Sequence, residues 1–112
     1  MCLFRIQICK YFMKDSMILS FEIGNSNIKI ALIRDSEILK VFRISSTQER
    51  TEDEYYAILT SLFSVQNISY AIISSVVPRV ESSIILMLEK HFRVTPIVLN
   101  EDMLSMFGVS IE

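Results

Sequence analysis

The chain has 112 residues, of which 51% are hydrophobic, and its formal net charge is −2 at pH 7. This length predicts one domain with a core of modest size. The slightly acidic balance argues against a nucleic-acid-binding domain, which is normally basic, and no apolar run approaches the roughly 18 residues that cross a membrane.

Residues 1–16 are predicted to be an extension that precedes the folded domain. The segment lacks the unbroken apolar stretch and the small-residue cleavage site of a secretory signal. It contains both cysteines of the chain, Cys2 and Cys9, which are too few for a disulfide framework, so we expect a reducing compartment. We also expect the natural protein to start at Met13 or Met17.

Three strands are predicted next, over 17–23, 28–34 and 37–44. Apolar and polar residues alternate most clearly in the second and third strands, as in half-buried strands. Asp35 and Ser36 form the turn between them, so the three strands make an antiparallel meander.

A helix is predicted to follow, because Thr51 and Glu54 have the spacing of a capping box. One apolar face repeats at helical spacing: Tyr55, Ile58, Leu59, Leu62 and Phe63. The next strand, 69–75, is apolar nearly throughout, which is typical of a strand covered on both faces.

Pro78 marks the start of a second helix, where its missing N–H costs least. The predicted buried stripe of this helix is Val80, Ile84, Met87, Leu88 and His91. A fifth strand is predicted over 94–99, and Pro96 suits an edge position in it.

This order of elements predicts an α/β fold with a mixed five-stranded sheet. Three antiparallel strands followed by helix–strand–helix–strand is the ribonuclease H-like plan, which is also one lobe of the actin, sugar-kinase and Hsp70 superfamily. We assign residues 17–100 to this lobe. We interpret 101–112 as a tail that leads to a second lobe.

The segment Glu22–Asn27 lies between the first two strands and contains one of the two glycines of the chain. Glycine allows close approach of the backbone, and successive N–H groups in such a turn can bind an anion. A carboxylate at the strand end could hold the metal that accompanies a nucleotide. The same residue types also form ordinary hairpin turns, and the local pattern alone does not favour a phosphate site over a hairpin turn without a ligand.

Other polar side chains have simpler explanations. His91 could be a general base, but a lone histidine near a helix end is far more often a packed side chain. Tyr55 is predicted to lie in the core and Tyr56 at its rim. Asp53 and Glu54 are explained by their place at the start of the first helix.

At this point the sequence resembles the type III pantothenate kinases. Glu22–Asn27 is similar to the family's Asp-hydrophobe-Gly-Asn-Thr/Ser-Asn phosphate motif, and the register holds from about Met17 to Leu99. The other matching segments, in order, are Phe42–Ser45, Arg50–Tyr55, Ile72–Pro78 and Phe92–Leu99.

The resemblance implies ATP-dependent phosphorylation of pantothenate to 4′-phosphopantothenate, the first step of coenzyme A synthesis, by a cytoplasmic homodimer. It also implies Mg²⁺ and a monovalent cation, usually potassium. The nucleotide-binding residues that it implies are Glu22, Ile23, Gly24, Asn25, Ser26, Asn27, Ile28 and Lys29, with Glu22 at the metal.

Two departures from the family pattern affect these expectations. Glu22 replaces the family's Asp, and its extra methylene moves the carboxylate by about 1 Å, which can cost roughly a hundredfold in rate. The sequence also lacks the family's Gly-Ala-Asp-Arg motif, which supplies the catalytic Asp. We therefore assign no catalytic residue and expect that residues 1–112 alone, as a truncated lobe, do not phosphorylate pantothenate.

Two alternatives stay open. The chain could be a non-catalytic module that binds a nucleotide or a partner. A nuclease of the same lobe fold is strongly disfavoured, because it needs several carboxylates around two metals and the predicted central strand supplies just Glu22.

Overall fold

Five strands form one mixed sheet in the computed structural model, which describes residues 16–63 and 68–99. The strands are β1 Met17–Ile23, β2 Asn27–Arg34, β3 Glu37–Ser45, β4 Ile68–Ser75 and β5 Ile97–Leu99. Their order across the sheet is β3-β2-β1-β4-β5. The first three strands are antiparallel neighbours, whereas β4 runs parallel to β1 and β5 parallel to β4. This arrangement confirms the predicted fold class.

The turn between β2 and β3 explains their tight pairing. Asp35 and Ser36 have φ angles of 52° and 63°. Positive φ at both central residues is the requirement of a type I′ turn, whose twist matches that of the flanking strands. The predicted two-residue hairpin is therefore confirmed.

Two helices connect the remaining strands: α1, Glu52–Leu62, and α2, Pro78–Met87. At the start of α1, Thr51 Oγ1 accepts the Glu54 N–H at 3.2 Å, and Glu54 Oε1 accepts the Thr51 N–H at 3.0 Å. This is the predicted capping box. Pro78 begins α2, also as predicted. Neither helix in the described ranges is long and apolar enough to cross a membrane.

The main core lies between one face of the sheet and the two helices. Tyr55 and Leu59 of α1 and Ile84 of α2 are each buried against it. The strand residues in this core include Leu19, Phe21, Ile23, Ile28, Ile30, Leu32, Ala71 and Ile73. Ile18, Ile33 and Ile72, whose side chains alternate to the opposite face, are also buried. Burial of both faces explains why β4 is apolar nearly throughout.

The end of α2 differs from the prediction. A π-helical turn, Leu88–Phe92, follows α2 directly. Arg93 then adopts a left-handed φ of 55°, and Val94 N–H donates to the Leu88 carbonyl at 3.2 Å. These residues close the helix, so the strand predicted to begin at residue 94 begins at Ile97 and is three residues long. Pro96 precedes the strand, where its missing N–H removes no ladder hydrogen bond.

Candidate phosphate-binding loop

The loop between β1 and β2 is short and open. Ile23 and Ile28 face each other across the two strands, and the Gly24 N–H donates to the Asn27 carbonyl at 2.9 Å. Asn25, Ser26 and Asn27 are exposed, whereas Gly24 is half-buried. The two strands are therefore adjacent, as a phosphate-binding loop at this position requires, and the side chains of the loop are accessible.

Two neighbouring segments fix the backbone of this loop. Val76, in the turn after β4, donates its N–H to the Ile23 carbonyl at 3.0 Å. Ser46, just after β3, donates its N–H to the Ser26 carbonyl at 2.9 Å. With the bond inside the loop, three hydrogen bonds hold one short stretch of chain. A loop that is already ordered loses less conformational entropy when it binds a ligand.

The loop retains two backbone donors for an anion. Within residues 16–63 and 68–99, nothing accepts a hydrogen bond from the N–H of Asn25 or Ser26. The Gly24 N–H, in contrast, is already used in the bond to Asn27. Two consecutive N–H groups that have no acceptor within these ranges are donors of the kind that backbone anion sites use.

The role of Gly24 is therefore one of space. An added Cβ at this position would lie 3.3 Å from the Asn27 carbonyl oxygen, closer than an ordinary van der Waals contact. The crowded atom is a backbone atom, so the turn itself would have to shift. Glycine permits the tight closure between residues 24 and 27.

A row of polar side chains crosses the sheet beside the loop. Glu22 of β1 faces Lys29 of β2 on one side and Ser74 of β4 on the other. Their strand neighbours face the helices, so these three lie on the opposite face of the sheet. Lys29 Nζ is 4.0 Å from Glu22 Oε2, and the two side chains are 26% and 19% exposed. A partly exposed ammonium at this edge suits an anionic ligand.

A complete protein metal site is absent from the described part of the chain, where no three His, Cys, Asp or Glu residues come together. Glu22 could supply one carboxylate oxygen beside the loop. Mg²⁺ at nucleotide sites commonly uses one or two carboxylates, the phosphates and several waters. The carboxylate of Glu22 therefore fits a metal that arrives with a nucleotide.

Arg50 supports the loop from a further distance. Its Nη1 donates to the Ser45 carbonyl at 3.0 Å, and its guanidinium lies 5.3 Å from the centroid of the Tyr55 ring.

The sequence predicted no role for Ser46 or Val76, which contact the loop directly. Their positions could have indicated a role near the loop, because Ser46 follows one segment that matches the family pattern and Val76 lies inside another.

Asp53, Tyr56 and His91, which the sequence analysis considered as candidate site residues, form a contact between α1 and the turn after α2 instead. Asp53 Oδ1 lies 2.8 Å from His91 Nε2 and 3.0 Å from Lys90 Nζ. The His91 ring stacks on Tyr56 with centroids 3.9 Å apart. The hydrogen bond with His91, and then that with Lys90, lowers the pKa of Asp53. His91 is thus a packed side chain, as predicted, but it is 22% exposed and does not belong to the buried stripe in which it was predicted. Asp53 makes a tertiary contact that its place in the first turn did not indicate.

Comparison with known proteins decides the family. A model of the type III pantothenate kinases matches residues 18–112. The chain belongs to the type III pantothenate kinase family. It is similar to the type III pantothenate kinase of Ehrlichia canis, with 33% identity over 100 residues that make up 85% of this chain and 38% of that protein. The enzyme of Ehrlichia ruminantium strain Welgevonden is likewise 33% identical over 99 residues.

The chain therefore spans well under half the length of these kinases, 38% in both cases. Solved structures agree on the fold. A Bacteroides thetaiotaomicron protein with an actin-like ATPase fold and unknown function superposes over 96% of this chain and 45% of its own, with a TM-score of 0.56 and 14% identity. Archaeoglobus fulgidus Pelota superposes over 87% of this chain and 30% of its own, with a TM-score of 0.53 and 14% identity. At this identity the likeness shows the fold alone.

Proposed function

We propose that this chain is the nucleotide-binding lobe of a type III pantothenate kinase. Its reaction would be the ATP-dependent phosphorylation of pantothenate to 4′-phosphopantothenate, the first step of coenzyme A synthesis. The observation that carries the proposal is the open loop after β1, in which the N–H groups of Asn25 and Ser26 find no hydrogen-bond acceptor among the described residues. Family membership gives this loop its expected ligand, the phosphates of ATP.

Each residue of the loop has a distinct part in this proposal. The N–H groups of Asn25 and Ser26 bind phosphate oxygens, and the exposed side chains of Ser26 and Asn27 add further donors. Gly24 provides the close approach. The buried side chains of Ile23 and Ile28, 3% and 0% exposed, anchor the two strand ends without touching the ligand.

The charged pair beside the loop would complete the phosphate end of the site. The Lys29 ammonium would attract the polyphosphate, and Glu22 would accept hydrogen bonds from water on a bound Mg²⁺. Mg²⁺, when bound, neutralises charge that develops on the transferred phosphoryl group. Family membership suggests a monovalent cation, potassium, in addition.

Phosphoryl transfer also needs a group that orients the attacking hydroxyl and accepts its proton. The sequence has no Gly-Ala-Asp-Arg motif to provide it. We therefore propose that the 112-residue chain binds nucleotide but does not phosphorylate pantothenate by itself. Turnover above background by a preparation free of other kinases would overturn this part of the proposal. The cytoplasmic homodimer of the family is a further expectation, for which sedimentation tests the dimer.

A second candidate is a binding module of the same family without catalysis. The observation that favours it is the pairing of Glu22 with Lys29, because an adjacent ammonium partly neutralises the carboxylate that would attract Mg²⁺. Adding a type III pantothenate kinase second lobe as a separate chain would distinguish the candidates. Restored turnover supports the kinase lobe, and continued inactivity supports the module.

Calorimetric titration with ATP, in Mg²⁺ and in EDTA, tests the proposed site directly. We expect saturable binding of ATP that is stronger in Mg²⁺ and much weaker for adenosine. Glu22→Gln should reduce the benefit of Mg²⁺. The matched control is Glu37→Gln, at the far end of the sheet opposite Arg34, which should leave both affinities unchanged. Equal affinities for ATP and adenosine would contradict a phosphate site.

A further inference from the structure

We infer that Ser75 is a positioning residue for the nucleotide, because its hydroxyl holds the turn that anchors the phosphate-binding loop. This inference rests on the proposed function and assigns Ser75 a role in the same site. Ser75 ends β4 and is half-buried. It lies opposite Ile23 in the parallel pairing of β4 with β1, at the edge of the sheet where the loop begins.

The Ser75 hydroxyl closes the turn between β4 and α2. Its Oγ accepts the Val77 N–H at 3.0 Å and donates to the Val77 carbonyl at 3.2 Å. Val77 is the N-cap residue of α2, and no side chain caps that helix by a hydrogen bond. One hydroxyl therefore binds both backbone groups of Val77, the residue just before the helix, with Val76 enclosed in the turn.

Val76, the residue enclosed in this turn, connects the turn to the loop. Val76 donates its N–H to the Ile23 carbonyl at 3.0 Å, although its side chain is 69% exposed. The Ile23 carbonyl belongs to the same planar peptide group as the Gly24 N–H, which donates to Asn27. A peptide group held at its oxygen and at its nitrogen cannot rotate freely.

That peptide group sets the direction of the chain as it enters Asn25 and Ser26. Without the Ser75 hydroxyl, the Val77 N–H loses its acceptor and the turn around Val76 loosens. The bond from the Val76 N–H to the Ile23 carbonyl is then held less firmly, whereas the bond from Gly24 to Asn27 does not depend on Ser75. The N–H groups of Asn25 and Ser26 would sample more orientations, so binding a phosphate would cost more entropy.

A purely structural role for Ser75 makes a different prediction. Loss of a hydrogen bond at a helix start would lower the stability of the whole domain and leave ligand discrimination unchanged. A positioning role should weaken ATP binding more than AMP binding, because the longer phosphate chain makes more contacts with the loop. The ratio of the two affinities therefore distinguishes the roles.

The experiment compares full-chain wild type with Ser75→Ala, using calorimetric titration with Mg-ATP and with AMP. We expect Ser75→Ala to weaken ATP binding about three- to tenfold, the effect of one lost hydrogen bond, with a smaller change for AMP. Ser75→Thr keeps the hydroxyl and should restore most of the ratio. The matched control is Ser82→Ala, whose hydroxyl bonds to the Pro78 carbonyl within α2 and which should leave the ratio unchanged.

Amide hydrogen exchange adds a readout that needs no ligand. In Ser75→Ala, exchange at Val76 and Gly24 should accelerate more than exchange in the core of β1. Unchanged exchange at these two amides, or an unchanged ratio of ATP to AMP affinity, would overturn the inference. If wild type binds no ATP, the proposed function fails, and the exchange measurement still decides whether Ser75 orders the loop.

Discussion

Gly24 and Asn27 close the loop after β1 through one hydrogen bond of 2.9 Å, from the Gly24 N–H to the Asn27 carbonyl. The same carbonyl oxygen would lie 3.3 Å from a Cβ at position 24. A single atom thus both closes the turn and limits the residue that can begin it. This crowding explains why the motif has glycine at position 24, where the absence of a Cβ lets the Asn27 carbonyl come close.

Gly24→Ala should therefore displace the Asn27 carbonyl by a few tenths of an ångström and misalign the N–H groups of Asn25 and Ser26. We expect ATP affinity to fall severalfold and the unfolding midpoint to fall slightly. Titration with Mg-ATP and thermal unfolding monitor the two effects separately. Ser82→Ala on α2 is the control, a substitution outside the loop that should leave ATP affinity unchanged. An unchanged ATP affinity would show that the turn absorbs the methyl group without moving the binding groups.

Ser36→Gly should stabilise the domain. Ser36 has a φ of 63° in the type I′ turn, where a side chain is disfavoured and glycine is not. The gain is partly offset by the greater freedom of glycine in the unfolded chain, so we expect about 0.5–1 kcal/mol. Chemical denaturation measures it. The control is Ser82→Gly in α2, which should destabilise, because glycine is a poor helix former. A loss of stability in Ser36→Gly would contradict the turn assignment.

The contact of Asp53 with His91 and Lys90 predicts a specific dependence of stability on pH. The pKa of Asp53 is lowered in the folded state from its ordinary value of 3.8. A lowered carboxyl pKa means that the contribution is fully present above that value and is lost as the pH falls through the lower, folded pKa. Lys90, whose pKa is raised by Asp53, loses its contribution only at strongly alkaline pH.

Asp53→Asn should thus lower the unfolding midpoint modestly near neutral pH, and the difference from wild type should shrink in acid. Thermal unfolding at about pH 7 and about pH 3 tests this. Glu52→Gln removes the same charge from the same helical turn without the contact to His91, and it should show a smaller difference. A gap between wild type and Asp53→Asn that is equal at both pH values would rule out the ionic contact.

The parts of the fold that depend on local chemistry could be predicted from the sequence. The capping box at Thr51 and Glu54, the helix start at Pro78 and the turn at Asp35 and Ser36 each depend on residues a few positions apart. Apolar patterns, alternating in β2 and β3 and nearly continuous in β4, then placed the strands to within one residue for β1 to β4. These signals are short in range, so a single sequence contains them.

The parts that were not predicted depend on contacts between distant segments. The anchoring of the loop by Val76 and Ser46 requires the alignment of three strand ends, which no local pattern encodes. Asp53 meets Lys90 and His91 across 37 and 38 residues. The π-helical turn and the late start of β5 follow from how Arg93 closes the helix, and the sequence at Arg93 has no glycine to signal a left-handed residue.

The central claim is that the backbone of the loop binds a polyphosphate. The most direct measurement is the change in amide chemical shifts of Asn25 and Ser26 when unlabelled ATP, tripolyphosphate or adenosine is added to isotopically labelled protein. We predict saturable shifts of both amides with ATP and with tripolyphosphate, and little change with adenosine. ATP that binds while shifting residues elsewhere, with Asn25 and Ser26 unmoved, would contradict the claim.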